Sequence, residues 1–287
     1  NYLAKDYEAG YQNWACAQGS NGEMYFGNSQ GLLVYDGYRW TLHKVPGNHI
    51  VRSVYVKEDR IYVGAFEEFG YFKYSEAGTL RYHSLSKFLK NFPMENNEIW
   101  NIVELDGRIY FQSFSAWFSY DGKMVHAFRN RQQQPLYFYT QNGHIYTQMI
   151  DEDFYEFDGK DFLHLFPRSQ VNDDNVVALL PDGDNSFLMV TENNGLFRYN
   201  GDITPWKTDI DAELKKQRVN RAVMTNDSIF MIGTVLNGIY AIDRKGHCLW
   251  HFNLDNRLDN NTVLGLFCDK DNNVWAALDD GIAYIHH

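Results

Sequence analysis

Residues 22–37 read GEMYFGNSQGLLVYDG, and this stretch decides the fold. It contains two short apolar and aromatic runs, 23–27 and 32–35, which the composition predicts as strands. The polar turn 28–31 joins them, and Asp36-Gly37 opens a second hairpin turn. Asp-Gly supplies the positive φ that a tight hairpin needs.

The same pattern returns six more times. Taking the large apolar residue of the first of these two runs as an anchor gives Tyr25, Tyr62, Tyr110, Tyr146, Leu188, Phe230 and Trp275, spaced 37, 48, 36, 42, 42 and 45 residues apart. A period near 40 residues built only from strands marks a β-propeller blade. Before each anchor run lies another apolar run that ends in a polar turn, such as Asp106-Gly107 or Asn142-Gly143. After it comes a third run closing in Tyr35-Asp36-Gly37, Tyr120-Asp121-Gly122, Phe157-Asp158-Gly159 or Tyr199-Asn200-Gly201, and then an outer run such as 39–43 or 248–252. The expected architecture is all-β, a single seven-bladed β-propeller of four-stranded antiparallel blades. The blades fall at about 11–45, 46–85, 86–130, 131–167, 168–208, 209–253 and 254–287, so one domain spans 1–287 with no linker. The seventh copy stops at its third run, 282–285, and residues 2–5 are expected to complete that blade as its fourth strand. Short helices are expected only in the loops 85–91 and 210–216.

Aromatic residues make up 16% of the chain, which suits sheet-on-sheet cores. The net charge is −11 without any Lys/Arg cluster, which argues against a nucleic-acid partner, because phosphate neutralisation needs concentrated positive charge. No run approaches the roughly 20 apolar residues of a membrane span. With neither an initiator Met nor a signal peptide, the sequence reads as a processed or excised piece, and its terminal His pair as native or the start of a tag. Cys16, Cys248 and Cys268 are too few and too odd in number for a disulfide framework. They read as buried thiols, with a Cys16–Cys268 bridge as the alternative if blades one and seven adjoin.

In a propeller, the loops leading into the inner strands and the turns between second and third strands share one face. Ligands bind in such mouths, where several blades each lend a side chain. Here Trp14, Arg52 and Trp100 fall at matching places in three successive blades, two aromatic plates with a guanidinium expected between them, an arrangement that suits a sugar ring or a planar acid. Glu67, Asn101, Arg218, Arg221 and Asn237 complete the expected ligand-binding set. The competing reading has Trp14 and Trp100 capping a blade interface and the two arginines in ion pairs. No catalytic constellation stands out. The ten His are scattered, and an acid–base pair would have to use His49 with Glu67 or Glu98. No metal site or cofactor is expected. The acidic stretches 151–153 and 269–273 lack the twelve-residue calcium loop and read as solvated turns.

The repeat resembles the two-component regulator propeller repeat, most clearly at 22–36, 226–243 and 271–284, whereas blades three to five keep it loosely. The opening, Asn1-Tyr2, Asp6-Tyr7, Gly10 and Gln12-Asn13-Trp14, followed by Tyr25-Phe26-Gly27-Asn28, Gly31-Leu32-Leu33, Asp36-Gly37 and Trp40, is similar to sensor regions of Bacteroidetes regulators. That resemblance implies a periplasmic sensor followed by a triple-tyrosine β-sandwich, a membrane helix and a cytoplasmic kinase or helix-turn-helix output. The repeat, the acidic, non-basic surface and the Trp/Arg/Asn-rich mouth together give a small-molecule or oligosaccharide inducer as the leading expectation, with a homodimer in the full-length protein. The alternatives are a protein–protein platform without a small ligand and a propeller lyase or hydrolase.

Overall fold

The computed structural model describes residues 1–287 throughout. Its 27 strands form seven antiparallel sheets, each a meander in chain order. The chain is a seven-bladed β-propeller. In blade one the strands are Asn13–Gln18, Met24–Asn28, Gly31–Tyr35 and Trp40–His43. The later blades open with Ser53–Lys57, Asn101–Leu105, Pro135–Gln141, Val176–Pro181, Val219–Met224 and Val263–Cys268. The outer hairpins share one local device. Asp36 Oδ1 accepts the backbone N–H groups of Tyr38 and Arg39 at 2.8 and 2.7 Å, and Asp121 and Asp158 repeat the arrangement. These backbone bonds hold all three carboxyls below the usual Asp range.

The chain divides into two compact units. The first, residues 2–138, holds blades one to three. The second strand of blade two, Arg60–Ala65, shows how its cores arise. Successive side chains of a strand point to opposite faces. Ile61, Val63 and Ala65 therefore join Tyr25, Leu32 and Val34 of blade one, while Tyr62 joins Ile109, Phe111 and Phe118 of blade three. Both faces are buried, so each blade needs a neighbour on each side. Blades approach closely where the side chain is missing: a Cβ on Gly27 would stand 2.6 Å from the Val51 carbonyl oxygen.

The second unit, residues 139–287 with Asn1, holds three inter-blade cores of the same kind. One anchor is displaced by a residue. Tyr62 and Leu188 face the following blade, but Phe230 packs with Leu188 and Val190 of the preceding one. Met231, packed with Val263 and Ala276, is the equivalent of the other anchors. Choosing the larger neighbour in the strand selects the wrong face, because a shift of one residue inverts the side-chain direction.

The seventh sheet has three strands, ending at Ile282–Ile285. Of residues 2–5, expected as a strand, only Tyr2 is β-bridged, and the Asn1 side-chain amide donates to the Arg257 carbonyl at 2.6 Å. The chain leaves the extended conformation at Ala4–Tyr7, a one-turn helix started by Asp6, whose carboxylate accepts the Leu3 N–H at 2.8 Å. Glu8, at φ 55°, ends it, and buried Tyr7 anchors it through its hydroxyl to the Gly10 carbonyl. The helical segments in the loops are short: Ser86–Phe88 and Asp211–Leu214 where expected, and Pro46–Asn48 and Arg168–Val171 besides; no helix is long and apolar enough to cross a membrane. All three cysteines are free thiols, and Cys248 is exposed.

Gly27→Val is expected to lower unfolding free energy by about 1–3 kcal/mol, since the added atoms press on backbone rather than on a side chain that can rotate away. Urea melts check this; an unchanged midpoint would contradict the close approach of blades one and two.

Candidate ligand-binding site

Trp14 is an extra residue in its strand. Asn13 lies opposite Asn28 and Ala15 opposite Gly27, leaving Trp14 on a β-bulge. Arg52 and Trp100 occupy the same place. Arg52 N–H donates to the Gly64 carbonyl at 2.8 Å although Ser53 already faces Gly64, and Trp100 N–H donates to the Gln112 carbonyl at 2.9 Å although Asn101 faces Gln112. A bulge turns its side chain out of the two-faced pattern, and these three meet.

The Arg52 guanidinium carbon lies 4.3 Å from the Trp14 ring centroid and 4.7 Å from that of Trp100. The two indoles are themselves 6.1 Å apart at 68°, edge to face. The three centres thus form a triangle rather than the expected sandwich, with the cation capping a T-shaped pair. Glu98 Oε2 stands 3.5 Å from Arg52 Nε, close enough for ion pairing without hydrogen-bond alignment. Three buried polar atoms, Trp14 Nε1, Arg52 Nε and Glu98 Oε2, have no hydrogen-bond partner in the protein. An unsatisfied buried group costs about 1–3 kcal/mol, whereas a cation–π contact contributes about 0.5–2 kcal/mol. The opposing terms are similar in size, so the cluster is held near balance.

The aromatic surface continues beyond this trio. Phe114, in the turn after the second strand of blade three, stacks on Trp100 at 6.0 Å and 16°, and Tyr137 meets Phe114 edge-on at 6.0 Å. Sequence reasoning missed both as site residues. The available signal was an aromatic residue between two serines in a turn, Ser113-Phe114-Ser115. It also weighed Glu98 only as an acid or base, whereas the structure places it against Arg52.

The other expected residues have structural partners. Glu67 accepts the Asn96 N–H at 2.9 Å and so fastens the end of the long blade-three insertion. Asn101 donates across to blade four, to the Phe138 carbonyl at 2.6 Å. In the 139–287 unit, Arg218 pairs with Glu192 at 3.3 Å, and Arg221 donates to the Asn220 carbonyl at 2.8 Å. Asn237 organises its turn through Thr234, Tyr240 and Asn253. His49 lies on Phe66 at 5.2 Å and forms no hydrogen bond or ion pair with Glu67 or Glu98. The acidic stretches are not merely solvated. Asp153 binds His164 and the Arg168 N–H, and buried Asp269 accepts from Asp271, Asn273 and the Trp275 indole.

No family model matches the chain, and no curated protein is similar to it in sequence. Among solved structures it is similar to the extracellular domain of a hybrid two-component system from B. thetaiotaomicron, at 19% identity and TM-score 0.78. That match covers 100% of this chain but only 39% of the other. The propeller sensors that the repeat resembles are thus also among its likenesses in fold. The chain is similar as well to a streptogramin B lyase, at 14% identity and TM-score 0.75 over 96% of this chain and 94% of that one. A virginiamycin B lyase from Staphylococcus aureus gives 12% identity and TM-score 0.76, with coverage of 100% and 98%.

Asn101→Ala is expected to cost about 1 kcal/mol of stability, the net value of one cross-blade hydrogen bond, while leaving the tryptophan emission spectrum unchanged. A shift in the emission spectrum would place Asn101 within the aromatic cluster instead.

Proposed function

We propose that this chain is the ligand-recognising propeller of a bacterial extracytoplasmic signalling protein and performs no chemistry itself. The observation that carries the reading is the convergence of Trp14, Arg52, Trp100 and Glu98 on equivalent bulges and the loop beside them, with polar atoms left unmatched in an aromatic surround. Residues with only a packing role normally satisfy their buried polar atoms. The fold likeness to a two-component extracellular domain supports the signalling context, as do an acidic chain and a repeat of the regulator type. The inducer is a small molecule, with an oligosaccharide the first choice, since indole and phenyl faces flanked by hydrogen-bonding groups suit a sugar ring. Adjoining triple-tyrosine and output domains, in a membrane-anchored homodimer, would receive the signal. Binding transmits only through a difference in affinity between two arrangements of propeller and neighbour.

The lyase reading draws on the two lyase-like folds, but the acid–base pair it needs is not assembled. His49 is engaged with Phe66, Glu67 with the Asn96 N–H and Glu98 with Arg52.

Calorimetry against a panel of oligosaccharides tests the reading, using Trp14→Ala, Arg52→Ala and Trp100→Ala variants. Each substitution is expected to weaken binding about tenfold or more, the loss of roughly 1.4 kcal/mol of contact. A ligand whose affinity all three leave intact would show that this mouth is not the binding site.

A further inference from the structure

We infer that the Trp14–Arg52–Glu98–Trp100 cluster selects a neutral, hydroxyl-bearing ligand and rejects anionic ones, an inference that rests on the recognition reading above. An arginine in a ligand mouth ordinarily suggests a carboxylate, sulfate or phosphate guest. Here its charge is already answered. The Glu98 carboxylate lies 3.5 Å from Arg52 Nε. Phe66 and Glu98 form a β-bridge, which brings the Glu67 turn alongside. No second cation pairs with either carboxylate. An incoming carboxylate can only accept hydrogen bonds. It could take the Arg52 and Trp14 N–H groups, but it would face Glu98 Oε2 with like charge and offer it no proton. A cationic guest fares no better, because the guanidinium already covers both indoles at 4.3 and 4.7 Å.

A hydroxyl group answers all the unmatched atoms in kind. It donates to Glu98 Oε2 while accepting from Arg52 Nε, and an adjacent hydroxyl accepts from Trp14 Nε1. Neighbouring hydroxyls on an apolar ring edge are the chemistry of a neutral saccharide, and Phe114, which extends the aromatic surface beyond the covered indoles, offers the ring beside which such a sugar lies. Uronic-acid and sulfated saccharides present the same ring with the wrong charge. Glu98 is accordingly the residue that sets selectivity, and Arg52 holds it in place.

The test is calorimetry of the 1–287 protein with matched trisaccharides: galactotriose, cellotriose, maltotriose and xylotriose as neutral probes, trigalacturonate and a chondroitin sulfate trisaccharide as acidic ones. At least one neutral probe is expected to bind at least tenfold tighter than either acidic probe. Glu98→Gln, which keeps the shape and removes the charge, should weaken that probe and narrow its advantage over the acidic ones. Trp14→Phe, which keeps a ring and removes the donor, should weaken it without lowering the melting temperature. An acidic probe that binds as tightly as the neutral ones, and loses binding in Trp100→Ala, would overturn the selectivity while leaving the recognition site standing. Unchanged neutral affinity in Glu98→Gln would overturn it equally. If no probe of either class binds, the recognition reading fails and the selectivity with it.

Discussion

Each blade must bury both faces of its sheet, and the rest of the molecule follows from that requirement. An antiparallel sheet with one wet face alternates polar and apolar residues, but the second strands here are apolar at nearly every position, as in Val274–Leu278. Charged side chains are thereby displaced to turns and bulges, and the polar ones that enter the blade interior, such as Gln112 and Gln148, bond to backbone carbonyls. The bulge before each inner strand becomes the one repeated position where a large side chain escapes the alternation. In blades five to seven it carries Val177, Asn220 and Leu264, in line with packing or a cross-blade bond such as Asn220 to the Val263 carbonyl. Blades one to three place Trp14, Arg52 and Trp100 there. Identical backbone positions with such different side chains indicate a demand other than the fold's own.

How much of this was legible in the sequence depended on whether the signal was local. The Asp-Gly turns and the 40-residue period gave the blades directly, because turn chemistry and strand alternation act within a few residues. The matching of Trp14, Arg52 and Trp100 was visible for the same reason, since all three sit ten or eleven residues before their anchors Tyr25, Tyr62 and Tyr110. Phe230 misled because size was used as a proxy for direction, and its neighbour Met231 has the equivalent orientation. The extended N-terminal segment is shorter than the expected 2–5 because Asp6 and Glu8 turn residues 4–7 into a helix through contacts with the chain's own backbone. What could not be read was the partner of each polar side chain. Glu67, Asn101 and Asn237 resemble ligand-binding residues in type and place, and only the coordinates show their bonds to Asn96, Phe138 and Tyr240.

The geometry of the cluster also explains why arginine rather than lysine stands at residue 52. A planar guanidinium can lie over two edge-to-face indoles at once and still direct Nε toward a carboxylate, whereas an ammonium is a compact, strongly hydrated charge on a flexible stem. The arrangement nonetheless leaves that Nε–H and its carboxylate without hydrogen-bond alignment. A site built only to stabilise the blade junction would gain by closing that gap, as Ser53 does with the Ile99 carbonyl at 2.8 Å a short way along the same strand. The contrast between a satisfied neighbour and an unsatisfied cluster is the physical basis for reading the latter as a place for a guest.

Fold likeness alone does not separate a sensor from a lyase, and what bears on the choice is which side chains are committed elsewhere. A lyase needs a base within reach of a substrate proton and free to accept it. Glu98 lies at the end of the long insertion before blade three, immediately after Asn97, whose side chain is fixed to Ser113 and Ser115. Earlier in that insertion, Glu95 is tied to Arg129 and Arg131, and Phe92 lies under the Arg129 guanidinium at 4.1 Å. A ligand hydroxyl that draws on Glu98 therefore acts on the last residue of a loop otherwise fastened along its length.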